Sequence, residues 1–455
     1  MKIPVLRVVG DSHADLEAAF DAAVRNLTQI NTVPCDLAVY NKTGLLPEGG
    51  CMIRAGQAYE KPWTRDCAVN CWNAASLLIP QVARNTLWAV CERTEQGRLV
   101  VQCDSQWWDK VIWVRGAWEH YSITADRGFL SLAREAAAET IRRMEQERFC
   151  TEYGLFKGPA MMADGIAGYP VPPATPDGIC DSVLGYPDAL EIMCLSTNCI
   201  YVDAYRCLAA MADEVGGDSV LWRHKADALS RSINRHLWRD EASTYGYFIH
   251  GSGPLAGRLD THQEGIGLAF AVLDGVADRN QTARIMKTVH VQPKGITAVW
   301  PHFDGFSDEH PGRHNVMCWP IIGGFWAEAA MRGGRPDLFY RELTTLAGSA
   351  VEHDGEFFEL YDSRTGAIDG GFQPVGPHGV HYESCHHQTW SATAFLRMVF
   401  RVLLGMHFAA GQLRLQPVLP PEITRVELRG LPWQNRRLQI IVSDGGRTVQ
   451  QIEEC

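Results

Sequence analysis

Apolar residues recur every three to four positions through most of this chain. Ala68, Trp72, Ala75 and Ile79 keep that spacing, as do Leu130, Ala133, Ala137, Ile141 and Met144. It is the period of a helix that buries one face. Similar segments fall near 13–28, 82–94, 109–124, 196–214, 217–237, 262–273, 279–289, 315–332, 336–351 and 388–404. The pattern predicts about twelve helices. Between them run stretches rich in Gly, Pro and aromatic residues, at 42–64, 151–194, 291–314 and 352–387. Connections that long are uncommon in compact domains and usually carry function. Long loops at alternate connections predict six helical hairpins closed into a ring, an all-α fold of (α/α)6 type over 1–408. Past residue 409 the period becomes two, at Leu413/Leu415, Val426/Leu428 and Leu438/Ile440/Val442. This predicts a small β extension over 409–455, packed on the barrel.

Composition narrows the partners. With 46% hydrophobic and 21% charged residues, the 455-residue chain can bury a sizeable core. A net charge of -11 argues against nucleic acid and anionic membranes, which need basic surface. No apolar run is long enough to span a bilayer. The apolar patch Ile3–Gly10 is followed by Asp11 and Asp15 without a credible cleavage site, so no signal peptide is expected. Fourteen cysteines without C-x-x-C pairs suit reduced thiols packed as small hydrophobes. Together these predict a cytoplasmic protein.

Candidate chemistry lies in the long loops. In Phe357-Phe358-Glu359-Leu360-Tyr361-Asp362-Ser363-Arg364-Thr365-Gly366 a carboxylate is wedged among aromatics on a turn-rich loop. Such a setting desolvates and fixes a catalytic base, although a loop acid that merely solvates a turn has the same composition. Trp63-Thr64-Arg65-Asp66 precedes a helix. Asp66 suits an N-cap, and equally the group offers an aromatic wall with directed polar atoms, as sugar binding requires. Asp164 is a lone acid among Met, Ala and Ile, where burial would keep it protonated as a general acid needs. A turn aspartate before Gly165 reads the same way, and Glu191 is a rival acid. Tyr169, His314, Asn315, Trp319, Tyr361, His381 and Trp390 complete the candidate substrate contacts. The histidines lack metal-site spacing, so no metal is expected. No G-x-S-x-G elbow, phosphate-cradling loop or dinucleotide fingerprint occurs in a suitable context.

Several of these motifs resemble one known group. Trp63-Thr64-Arg65-Asp66 resembles the Trp-x-Arg-Asp motif of glucoamylases, and Glu359 to Gly366 resembles the base-bearing loop of glucoamylases, trehalases and processing α-glucosidases. Ser196-Thr197-Asn198, Asn315 to Pro320 and Gln388 to Thr393 are similar to further segments of those enzymes, in the same order. Leu413 to Pro421 is similar to β tails of glycoside phosphorylases and rhamnosidases. The resemblance implies the six-hairpin glycosidase superfamily: an inverting hydrolase of a small oligosaccharide or glycoside, without cofactor. Asp164 would be its acid, with Glu191 as runner-up, and Glu359 its base. In trehalases the acid sits in Gly-Trp-Asp, whereas here the context is Ala163-Asp164-Gly165. The alternative is a helical-barrel sugar epimerase or isomerase using the late histidine cluster. Phosphorolysis is a third reading, but the loop after Glu359 is weakly suited to phosphate.

Overall fold

A computed structural model describes residues 3–101, 106–162, 183–373 and 380–454. Twelve principal helical segments appear among them, at all the places where the 3.6-residue period predicts one. They are α1 (His13–Arg25), α2 (Thr64–Asn70, continued to Leu78), α3 (Pro80–Ala89), α4 (Lys110–Thr124), α5 (Arg127–Arg148) and α6 (Leu195–Val215). The rest are α7 (Ser219–His236), α8 (Gly265–Leu273), α9 (Arg279–Thr288), α10 (Pro320–Arg332), α11 (Pro336–Glu352) and α12 (Thr389–Arg397, continued to Leu403). The even-numbered helices form an inner ring: α2 packs on α4, α4 on α6, α6 on α8, α8 on α10, α10 on α12 and α12 on α2. Odd-numbered helices lie outside.

Composition explains the two layers. Outer α7 buries Trp222, Ala226, Leu229 and Ile233 along one stripe and leaves its other face wet. Inner α2 and α12 are buried on every side. Small residues let inner helices touch: a Cβ on Gly116 would meet the Ala68 backbone at 2.9 Å, and one on Gly324 would meet the Ala394 Cβ at 2.8 Å. Asp126, Asp218 and Asp278 cap outer helices α5, α7 and α9. None of the six inner helices has a side-chain cap from its N-cap residue. Two turns inside the ring, Glu328 of α10 and Arg397 of α12 form a buried 2.6 Å ion pair. Arg397 also donates to Asn73 of α2 at 3.0 Å, and Trp72 lies between the Arg397 and Arg115 guanidiniums, 4.5 and 4.7 Å from its ring centroid.

The protein is mostly helical, but not all-α. A four-stranded antiparallel sheet orders β1 (Val5–Gly10), β4 (Ile423–Trp433), β5 (Arg436–Ser443) and β6 (Thr448–Glu454) side by side. A hairpin of β2 (Met406–Ala409) and β3 (Gln412–Leu415) precedes β4. Period-two alternation foretold β3 to β5, while β1, a short apolar run without clean alternation, was expected in the barrel unit. Its partner β4 is remote in sequence, with Leu6 opposite Leu428 and Val8 opposite Val426. Short strand pairs also tie neighbouring loops together where inner helices begin. Met193–Cys194 pairs with Phe248–Ile249, Gln263–Glu264 with Val299–Trp300, and Met317–Cys318 with Tyr361–Asp362. Among the described residues no helix is long and apolar enough to cross a membrane, and the described cysteines are free thiols.

Candidate active site

A cavity of about 260 Å³ opens where the inner helices start. The first turns of α2 and α12 supply Arg65, Asp66 and Trp390, and the residues just before α4, α10 and α12 supply Asp109, Trp319 and Gln388. Helix starts aimed at a cavity favour anionic side chains and oxygen-rich ligands through their free N–H groups.

Glu359 lies in this cavity with 3% of its surface exposed. Its carboxylate accepts from the Tyr59 hydroxyl at 3.3 and 3.4 Å, from Arg313 Nη2 at 2.5 Å and from the Cys385 N–H at 3.4 Å. The Glu359 N–H donates to the Cys385 carbonyl at 3.0 Å, which fixes the backbone beneath the carboxylate. Burial, then the adjacent Glu359 charge, push the Tyr59 hydroxyl far above its ordinary range, so it stays a proton donor.

Facing this acid is the Trp63–Asp66 turn. Trp63 has φ +29°, a left-handed conformation that an indole-bearing residue adopts only under constraint from its surroundings. Asp66 accepts from Gln388 Nε2 at 3.3 Å. Arg65 donates to Asp109 at 3.4 Å and to the Met161 carbonyl at 2.5 Å, with its guanidinium 5.5 Å from the Trp390 ring. His314 bonds through Nδ1 to the Met162 carbonyl at 2.9 Å, so that nitrogen donates, and its ring stacks on Trp319 at 5.0 Å. Trp319 in turn donates to the Arg313 carbonyl at 2.9 Å. Cavity residues thus grip the backbone of both Met161 and Met162.

The structure therefore brings together Trp63, Arg65, Asp66, His314, Trp319, Glu359 and Trp390. Asp164 and Tyr169 lie outside the described residues. Four other candidates do not line the cavity. Glu191 bonds to Lys157 at 2.6 Å. Asn315 is buried and accepts from the Phe303 N–H at 3.2 Å, a packing role. Tyr361 folds back to accept the Phe358 N–H at 2.9 Å and faces a different cavity. His381 is half-exposed and pairs with Asp369 at 2.8 Å. Tyr59, Gln106, Asp109, Arg313, Gln373, Tyr382 and Gln388 also line the site and were not singled out as contacts. One signal was readable: Trp107-Trp108-Asp109 before α4 repeats the aromatic-then-acid order of Trp63 to Asp66. His386 and His387 pair with Glu356 and do not line the cavity, leaving His314 as its one imidazole among the described residues. That does not favour an epimerase with paired histidines. Among the described residues no cluster of His, Cys, Asp and Glu could hold a metal ion.

Comparison with known proteins matches this architecture. Residues 176–391 match the model of the mannosylglycerate hydrolase MGH1-like glycoside hydrolase domain, and residues 406–454 that of the glycosyl hydrolase family 65 C-terminal domain. Residues 176–391 thus resemble a glycoside hydrolase domain, and the described helices form six hairpins closed into a barrel. The chain is similar to the GH63 mannosylglycerate hydrolase from Thermus thermophilus in complex with glucose, with a TM-score of 0.57, 16% identity and coverage of 83% of this chain and 99% of that one. It is also similar to a sialidase (TM-score 0.69, 13% identity) and to the GH78 family rhamnosidase of Bacillus sp. GL1 (0.59, 16%), covering 99% and 100% of this chain. It spans about two fifths of the length of those two proteins, 40% and 42%. Identities this low speak for the fold alone. A search of curated protein sequences gave no match.

Proposed function

We propose that the protein is an inverting hydrolase of a small glycoside, with Glu359 as general base and Asp164 as general acid. The observation that carries this reading is Glu359 itself: a buried carboxylate, fixed by three kinds of donor, inside a cavity walled by Trp63, Arg65 and Asp66. Glu359 takes a proton from a water on one face of the sugar, and the water oxygen bonds to the anomeric carbon. The glycosidic bond breaks, and its oxygen takes a proton from the acid on the other face. Arg65 and His314 hold the carbonyls of Met161 and Met162 against the cavity. Met162, at the cavity wall, stands two positions before Asp164 in the sequence, whereas Glu191 is engaged with Lys157. That supports Asp164 over Glu191. Inversion requires carboxyl groups roughly 6.5–9.5 Å apart, with room for the water between them.

Trp63, Trp319 and Trp390 offer apolar faces for a sugar ring, and Asp66, Gln388 and His314 offer directed polar atoms at its edge. The cavity volume lies near the lower limit for ligand pockets and suits a single ring with a short aglycone. Together with the similarity to a mannosylglycerate hydrolase, this favours a compact hexoside over a long glycan. The test is proton NMR of the anomeric signals during the first minutes with α-mannosides (mannosylglycerate among them), α-glucosides, rhamnosides and sialosides. Release of a sugar of inverted configuration supports the assignment, and Glu359→Gln should then lower kcat by at least about 10²-fold. Release with retention, or an active Glu359→Gln enzyme, refutes it.

A further inference from the structure

A second cavity, of about 190 Å³, lies between α10 and α11 behind the loop that carries Glu359. Tyr361 and Thr365 of that loop line it, and Trp319 borders both cavities. Its most distinctive wall is the carboxyl of Glu342 on α11, which is 8% exposed. Oε1 accepts the Ile296 N–H at 2.7 Å. Oε2 sits where side chains are absent: a Cβ on Gly295 would meet it at 2.6 Å, and one on Gly323 at 2.8 Å. Burial raises this carboxyl to about 8, so near neutral pH it is largely protonated and both donates and accepts. Lys294 at the rim adds a cationic donor.

We infer that this cavity is a second binding site, for a polyol or monosaccharide no larger than one hexose ring. Aromatic faces from Trp319 and Tyr361, a buried carboxyl and flanking hydroxyls are the surfaces that recognise sugar-like molecules. The volume is too small for a disaccharide or a nucleotide. An occupant packs against the back of the Glu359 loop and against Trp319, so its presence bears on how firmly the other cavity is held. That link to turnover rests on the hydrolase reading, whereas the binding does not.

Met398 lines the second cavity, whereas Met161 and Met162 adjoin the first. The experiment therefore uses the full chain labelled at methionine methyl groups, with signals assigned by Met→Leu replacement. D-Glucose, D-mannose and glycerol are titrated separately, with no turnover needed. The expected result is a saturable shift of the Met398 signal with at least one probe, abolished by Gly348→Phe. Gly348 lines the cavity on α11 and has open space at its Cβ position, so the new ring fills the site without a clash there. Glu342→Leu, which keeps a similar volume but supplies neither donor nor acceptor, should weaken the same titration about ten-fold, the loss of one good hydrogen bond. No Met398 shift with any probe, or a shift that survives Gly348→Phe in a protein that still melts cooperatively, overturns the inference. Movement of the Met161 and Met162 signals alone would place all binding in the first cavity and overturn it too.

Discussion

Replacing Glu328 with Gln removes the anion from the middle of the inner ring. Burial works against that carboxylate, yet the charges of Arg397, Arg332 and Arg401 overcome it and bring it from 4.5 down to about 2. Arg397, lowered to about 10 by burial, remains charged near neutrality. A folded-state value below the unfolded one gives stability that is complete above about pH 4.5 and fades as pH falls towards 2. At 1.36 kcal/mol per unit, the displacement corresponds to about 3 kcal/mol at pH 7 and roughly 1.5 kcal/mol at pH 3. Losing one partner of a buried pair has a comparable cost, because Arg397 is left without its anion. Urea unfolding of wild type and Glu328→Gln at pH 7, 5, 4 and 3 tests this. The gap between the two proteins should be widest at pH 7 and about half as wide at pH 3. A gap that stays constant or widens on acidification would mean that Glu328 is not held ionised by those arginines.

Three further outcomes are expected. Burial raises Glu264 to about 8, so the folded state retains a proton that the unfolded chain releases above pH 4.5 and stability falls between those values. Glu264→Gln should accordingly leave the urea midpoint unchanged at pH 4 and raise it at pH 8, with Gln still accepting from the Ser196 N–H that Glu264 binds at 3.0 Å. Gly116→Ala forces α4 away from the Ala68 backbone and should destabilise the protein by about 1–3 kcal/mol, read as a lower melting temperature. At Gly56 a Cβ would stand 2.4 Å from Gln388 Oε1 and 2.9 Å from Cys385 Sγ. On the proposed hydrolase reading, Gly56→Ala should thus displace the Asp66 partner and lower kcat/KM on any glycoside turned over, with far-UV circular dichroism unchanged.

The ring was legible because each helix buries a stripe, and a stripe leaves a period in the sequence. The site was legible where a residue type stands at a helix start, as with Asp66 and Trp390, or within an aromatic loop, as with Glu359. It was illegible where orientation decides. Tyr361 is only two residues from Glu359, but its hydroxyl is claimed by the Phe358 N–H and its ring lines the other cavity. His381 lies in the short pairing of Val380–His381 with Phe372–Gln373, where Asp369 takes its imidazole. Arg313 and Tyr59 carry no local signal, since their role arises only when loops some 250 and 300 residues apart meet. The same non-locality hid β1.

The barrel closes like a bracelet, and its clasp joins segments that leave the ribosome at widely different times. Phe20 of α1 waits for Phe400, 6.0 Å away edge to face in the finished protein, and β1 waits for β4. Until the α12 segment emerges, α1 and α2 lack one of their final neighbours and expose the apolar surface it will cover. Closing so long a loop costs little more entropy than closing a moderate one, because the cost grows only logarithmically. It does delay the moment at which the contacts repay it. The cavity shares that moment: Glu359, Gln388 and Trp390 come from late segments and Tyr59, Trp63 and Asp66 from early ones. Completion of the pocket and closure of the ring are one event.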